Sequence, residues 1–398
     1  MKTIAILCDG TWNSPDMERD THVYRLFEAC HVEDSPDQVV RYFPGVGVAA
    51  GSGRMRTFIG RQAQKFGGGA FGWGLNRNIK EAYRALCEDY EPGDRVMIFG
   101  FSRGAYTARS LGGLIRKGGI LENPTEDRID EVFKLYRARG PENKPDAPEI
   151  WKARRRFSPK VATSQKDLEM RGDDSVLIDI AYMGIWDTVG ALGIPTSVLG
   201  AAASFWNSRY KFHDTDLSSL VGSARHAVAL DERRRFYEPS LWNNLDRKGD
   251  DPGLNKGDTS PDRPYQQAWF VGTHSIVGGS AQAFALSAIP LQWVWEGAER
   301  QGLKLAPGAR IPDVDPDPLL EADEIDNSGW FYKVAPQLMA WRKGPTGRDA
   351  VHPTARQRIR EYRDEGYRPG SLAELIEDII SEVVEEITGA DEPDRRRA

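Results

Sequence analysis

Apolar residues follow two rhythms along this chain. Short, largely apolar runs at 3–8, 39–43, 95–99, 176–182 and 268–271 read as strands buried on both faces of a parallel sheet. Between them the apolar spacing lengthens. Leu75, Ile79, Tyr83, Leu86 and Tyr90 fall on one helix face, as do Ala108, Leu111 and Ile115, the pattern of an amphipathic helix. Strand alternating with helix predicts an α/β fold with a mainly parallel sheet flanked by helices.

Two stretches break the rhythm. Residues 121–170 are charged and interrupted by Pro141, Pro145 and Pro148, which suits a helical cap or lid inserted between core elements. The uncharged stretch 188–208 reads equally as a lid segment or as a buried connection. Beyond these, residues 1–306 are expected to form the catalytic domain, and 307–398 a C-terminal extension packed on it. That extension opens with an acidic, proline-rich run at 312–318 and closes with an amphipathic helix at 371–387, striped by Leu375, Ile379, Ile380 and Val383.

Composition narrows the function classes. Of 398 residues, 40% are hydrophobic and 28% charged, so the chain can bury a core. The 53 basic side chains face 59 acidic ones, a net charge of −6, which argues against nucleic-acid binding by phosphate neutralisation. Cys8, Cys30 and Cys87 are too scattered for a disulfide framework or zinc site, consistent with a reducing compartment. The first apolar run lacks a small-residue cleavage site behind it and reads as a strand rather than a signal peptide. Pro195 and the glycines of 188–208 fit a membrane-spanning helix poorly. A protein made in the cytoplasm, without metal or cofactor, is the expectation.

The candidate chemistry begins at Gly100-Phe-Ser-Arg-Gly104, a G-x-S-x-G sequence with a strand before it and a helix after it. Ser102 would sit in a tight, strained turn whose glycine neighbours avoid collision. A serine hydroxyl needs a base, and the base needs an orienting acid. Of the histidines after Ser102, only His274 directly follows a strand candidate. Asp187 directly follows the largely apolar run at 176–186, while Asp214 and Asp231 compete from polar contexts typical of solvated loops. Ser102, Asp187 and His274 thus all fall at C-terminal strand ends, the edge where open α/β sheets build sites. The oxyanion hole would use the N–H of Arg103 and that of Gly10 or Thr11 in the loop after the first strand. Asp9 is expected to tie that loop down, and His226 to support the site or the core without itself reacting.

Other patterns are set aside. Gly67-Gly-Gly-Ala-Phe-Gly72 lacks the preceding strand of a dinucleotide site, and no P-loop occurs. Arg233, Arg234 and Arg235 suit a phosphate headgroup, but Glu232 and Glu238 beside them favour an ordinary ion-pair network.

Five segments together resemble the α/β-hydrolase family that includes the catalytic domain of type VI secretion phospholipase effectors: Asp9-Gly-Thr-Trp-Asn13, Gly100-Phe-Ser-Arg-Gly-Ala105, Trp186-Asp-Thr-Val189, His226-Ala-Val-Ala-Leu-Asp-Glu-Arg-Arg234 and Trp269-Phe-Val-Gly-Thr-His274. They span about residues 3–300. The resemblance implies an esterase or phospholipase A-type enzyme whose triad positions match Ser102, Asp187 and His274. It implies an ester or phospholipid substrate and transient contact with a membrane surface. It also allows a secretion-machinery or immunity partner and export without a signal peptide. The chain departs from the family at Ile276, where the family carries Asp, and at Ser280, where it carries Gly. That departure motivates an alternative: a catalytically weak hydrolase fold used as a binding or structural module.

Overall fold

β1 (Thr3–Cys8) sends alternate side chains into two separate cores, and that alternation fixes the layers. In the computed structural model, which describes residues 1–10, 20–45, 68–190, 216–246, 252–326, 336–362 and 366–381, Ile4, Ile6 and Cys8 join one apolar cluster and Ala5 and Leu7 the other. The chain continues through α1 (His22–Cys30), β2 (Gln38–Phe43), α2 (Gly68–Asp89), β3 (Arg95–Phe101) and α3 (Arg103–Gly118). The insertion that follows holds α4 (Glu126–Arg137), α5 (Pro148–Phe157), β4 (Val161–Ala162), α6 (Gln165–Arg171) and β5 (Val176–Leu177). Then come β6 (Asp179–Trp186), β7 (Ala224–Ala229), β8 (Tyr265–Phe270), α7 (His274–Val277), α8 (Phe284–Arg300) and α9 (Pro353–Glu361).

Six strands pair in the order β2-β1-β3-β6-β7-β8, every pair parallel, as expected of an α/β-hydrolase-like fold. α2 and α3 cover one face; α1 and α8 cover the other. The order reverses direction between β1 and β3, so a crevice opens at their C-terminal ends. β8 is an edge strand, covered by the C-terminal segment: Val351 bridges Trp269, and the His352 N–H donates to Trp269 O at 2.9 Å.

Three expectations change. The run 176–182 is two strands, because Ile178 ends the short pairing of β5 with β4 before Asp179 opens β6. β7 was not expected, since Arg225 and His226 interrupt its apolar run. The helix expected over 371–387 begins only at 376, after a 3-10 turn at Gly370–Leu372. Residues 382–387, and 191–208 of the expected lid segment, lie outside the described residues.

Candidate active site

β3 ends at Phe101 and α3 starts at Arg103, leaving Ser102 alone in the turn at φ 58° and ψ −121°. A non-glycine residue held there costs about 1–3 kcal/mol, so its surroundings must over-determine it. They do. A Cβ on Gly100 would lie 2.5 Å from Gly104 O, and one on Gly104 would lie 2.1 Å from Cys8 O. Only glycine lets the start of α3 approach both β3 and the end of β1. The Ser102 N–H donates to Trp186 O at 3.0 Å, pinning the turn against β6.

Asp187 follows β6 with φ 40° and is fully buried. Its N–H donates to Ala227 O at 2.7 Å, and its Oδ1 accepts the Ala229 N–H at 3.0 Å. The strand end is anchored behind it by the Trp186 indole N–H, which donates to Pro290 O of α8 at 3.1 Å. His274 opens α7 after Gly272, whose φ of 115° turns the chain back from β8. Its ring lies between Phe101 and Tyr237, with centroids 4.7 and 4.6 Å away. His274 Nε2 stands 2.8 Å from Ser102 Oγ, and Nδ1 stands 2.5 Å from Asp187 Oδ2. A carboxylate only accepts, so Nδ1 carries the proton and Nε2 is free to accept from the serine. Alcohol, imidazole and carboxylate therefore touch in series.

The electrostatics separate two neighbouring aspartates. Burial raises the Asp187 carboxyl, but Arg342 and His274 outweigh it and hold the group well below the usual range. The guanidinium is bidentate, with Nη1 2.7 Å from Oδ1 and Nη2 2.8 Å from Oδ2. Asp231 is just as deeply buried and meets the Gly272 N–H at 2.6 Å and the Tyr367 hydroxyl at 2.8 Å. Burial dominates there and pushes its pKa up to about 6. The sequence reading of Asp231 as a solvated loop residue is thus corrected: it is interior, where it closes the turn before His274 and the C-terminal segment. Asp214 lies outside the described residues. Burial pulls the His274 pKa below its ordinary 6.5, against the opposing pull of Asp187 and Glu232. Glu232 Oε2 accepts the His274 N–H at 3.2 Å and is itself paired with Arg234 at 2.6 Å.

The remaining candidate residues scatter around this core. Asp9 accepts from Thr21 Oγ1 and Tyr42 OH, both at 2.7 Å, and from the Gly10 N–H at 2.6 Å. The Gly10 N–H is thus engaged with a carboxylate; Thr11 lies outside the described residues. Arg103 occupies the first position of α3. His226 accepts the Thr188 N–H on Nε2 at 3.2 Å and faces Gln267 Oε1 from Nδ1 at 2.9 Å, steadying the chain just after Asp187. Ile276 is completely buried in the apolar core beneath the site. Arg233 pairs with Asp326 across the surface. A cavity of about 860 Å³ between α3, the insertion, residues 216–219 and residues 242–244 is lined by Arg109, Lys117, Tyr136 and Trp242, and by none of Ser102, Asp187 or His274. Among the described residues no three His, Cys, Asp or Glu side chains are grouped to hold a metal. None of the described helices is long and apolar enough to cross a membrane.

Sequence reasoning missed Arg342, Tyr237 and Phe101. Phe101 lies inside the G-x-S-x-G sequence and Tyr237 close to the arginine cluster, so position offered a signal for both. Nothing around Arg342 does.

The family model described as "T6SS, Phospholipase effector Tle1-like, catalytic domain" matches residues 2–297. A curated relative from Saccharomyces cerevisiae, "Uncharacterized protein YEL023C", is 30% identical over 241 residues, 60% of this chain and 32% of that one. A crystal structure of an uncharacterized protein from Pseudomonas aeruginosa aligns with TM-score 0.42 and 15% identity, over 100% of this chain and 55% of that one. The Tle1 effector bound to the VgrG spike of the type VI secretion system aligns with TM-score 0.33 and 16% identity, over 71% of this chain and 51% of that one. The chain thus spans about a third of the curated relative and about half of each solved structure.

Proposed function

The chain belongs to the family of Tle1-like phospholipase effector catalytic domains of type VI secretion, and from that premise we propose that it is a serine hydrolase cleaving carboxylic esters of lipids, phospholipase A-type, through an acyl-enzyme. The observation that carries this reading is the unbroken chain of contacts from Ser102 Oγ through His274 to Asp187, at 2.8 and 2.5 Å, on a strained strand-to-helix turn.

Ser102 Oγ attacks the acyl carbon as Nε2 of His274 takes its proton. Asp187 stays ionised, fixes the Nδ1–H tautomer and stabilises the imidazolium. The Arg103 N–H holds the developing oxyanion, together with that of Thr11 or of Gly10; Gly10 serves only once its N–H leaves Asp9. Such a donor is worth roughly 3 kcal/mol in the transition state. The imidazolium then protonates the leaving alcohol, and a water activated by His274 releases the acid. His226 acts by steadying the backbone after Asp187. No metal or cofactor takes part in this scheme. A lipid substrate implies contact with a membrane surface, and a secretion-machinery or immunity partner is part of the same proposal, as are synthesis in the cytoplasm and the division into a catalytic domain and C-terminal extension.

The alternative, a catalytically weak binding or structural module, rests on Ile276, and phospholipid vesicles separate the two. The wild type should release fatty acid and lysophospholipid, and Ser102→Ala should release neither. Equal release by both proteins, or none by either, favours the alternative. Hydrolysis of a soluble ester that vesicles never outcompete would count against the lipid assignment alone.

A further inference from the structure

Arg342 reaches the acid of the triad from the far side of the family-matched segment, and its contacts are not those of a surface ion pair. The guanidinium and the Asp187 carboxylate are both buried, and they meet along two parallel hydrogen bonds of 2.7 and 2.8 Å. The same guanidinium donates to Ala229 O at 3.0 Å and to Tyr237 O. Three elements that border the site, the end of β6, the end of β7 and the turn carrying Tyr237, are thereby tied to one side chain.

The segment bearing Arg342 is itself held in place. The Ala340 N–H donates to Arg233 O at 2.8 Å, and Trp341 lies under the Arg233 guanidinium, 5.2 Å from ring centroid to charge. Gly344 fits so closely against Ser371 that a Cβ would fall 1.6 Å from the Ser371 carbonyl oxygen. Ser371 Oγ in turn donates to Leu230 O at 2.9 Å. A fixed fork on a buried carboxylate constrains its plane, and here that plane sets where Oδ2 meets Nδ1 of His274.

Resting on the triad reading above, we infer that Arg342 is a positioning residue of the active site: it orients Asp187 toward His274 and restrains the basicity of the imidazole, so that the working catalytic unit extends past residue 306 into the C-terminal segment. Two effects follow with separable signs. The bidentate geometry favours turnover. A positive charge on the carboxylate that holds the ring disfavours imidazolium, in competition with Asp187 and Glu232, which favour it, and in the same direction as Arg234; Tyr237 packs against the ring. Losing the charge lets His274 take up its proton at higher pH; losing only the fork does not.

The test is the pH profile of ester hydrolysis and of fluorophosphonate labelling in the full-length chain, with melting temperatures alongside. Arg342→Met should lower kcat by about tenfold to a hundredfold with little change in KM. It should also move the acid limb of kcat/KM up by about one pH unit. Arg342→Lys, which keeps a charge without the fork, should lose part of kcat and retain the wild-type limb. If Arg342→Met does not fold, the Lys variant alone decides: unchanged kcat overturns the inference. A drop in activity that only follows the folded fraction, with an unmoved acid limb in the Met variant, overturns it as well and leaves Arg342 a structural tie. Wild-type labelling at Ser102 with wild-type rates in both variants sinks this inference and spares the triad. No labelling of Ser102 in the wild type sinks both.

Discussion

Among the described residues, two buried aspartates meet arginine in the interior, and their comparison isolates what could give one of them a chemical role. In the insertion, Asp167 accepts from Arg154 Nε at 2.9 Å, Arg171 Nε at 3.1 Å and the Thr163 N–H at 2.9 Å. Every partner there is permanently a donor. The cluster ties α5, β4 and α6 together. Asp187 has the same kind of arginine contact, but its remaining oxygen position faces an imidazole. For both, burial raises the carboxyl and the surrounding cations and donors outweigh it, so both stay ionised. A buried Asp–Arg pair by itself is scaffolding. In the proposed mechanism it gains a catalytic role because a third partner, the imidazole, can take up a proton and touches a nucleophile.

Exchanging the acids for neutral residues should split activity from stability. Asp187→Asn should cut kcat about 10⁴-fold, since an amide no longer fixes the productive tautomer. Asp167→Ala should leave turnover per folded molecule near wild type, yet lower stability by about 3–5 kcal/mol, because Arg154 and Arg171 are left buried without their carboxylate. Steady-state kinetics and denaturant melts of both variants check this, and a swapped result would break the contrast. Asp231→Asn sharpens it further. That carboxyl has no arginine fork and no contact with the ring, so hydrolysis should stay close to wild type; a collapse would transfer the role of acid to Asp231.

The pH dependence is a smaller effect. In the proposed mechanism His274 works as a free base, and burial lowers its pKa below 6.5. The acid limb of kcat/KM should therefore lie on the acid side of pH 6.5, with the rate falling as pH drops through the lowered value. An acid limb above 6.5 would contradict the described surroundings of the ring. Stability should show a related trend. Burial lowers His226 and His352 from 6.5 to about 3 in the folded chain. The unfolded chain then binds more protons as pH falls through 6.5, so melting temperatures should drop progressively from about pH 7 toward 3, with little contribution from these two groups between pH 7 and 8.

What could be read in the sequence follows the range of the forces involved. β1 and β3 are legible because a strand buried on both faces needs local apolar continuity, and β2 because its apolar residues flank a single exposed Arg41; the turn at Ser102 is legible because its two glycines sit beside it in sequence, although Gly104 answers to Cys8 O and Ser102 to Trp186 O. β7 was hidden because its polar residues are satisfied from afar: Arg225 packs over Trp293 at 5.0 Å and pairs with Glu296, while His226 bonds Gln267 and Thr188. Asp231 looked solvated for the same reason, since Tyr367 and Gly272 come to it from distant segments. Arg342 is the extreme case. Its partners at 187, 229 and 237 leave no periodicity or spacing around residue 342.

Peptide mapping of a fluorophosphonate adduct tests the central claim most directly, because the reagent reacts only where an oxygen nucleophile is activated by its neighbours. The account predicts a single phosphonyl group on Ser102 in the wild type, lost in Ser102→Ala and His274→Ala. No adduct on the folded wild type, or an adduct that persists in Ser102→Ala, would contradict it.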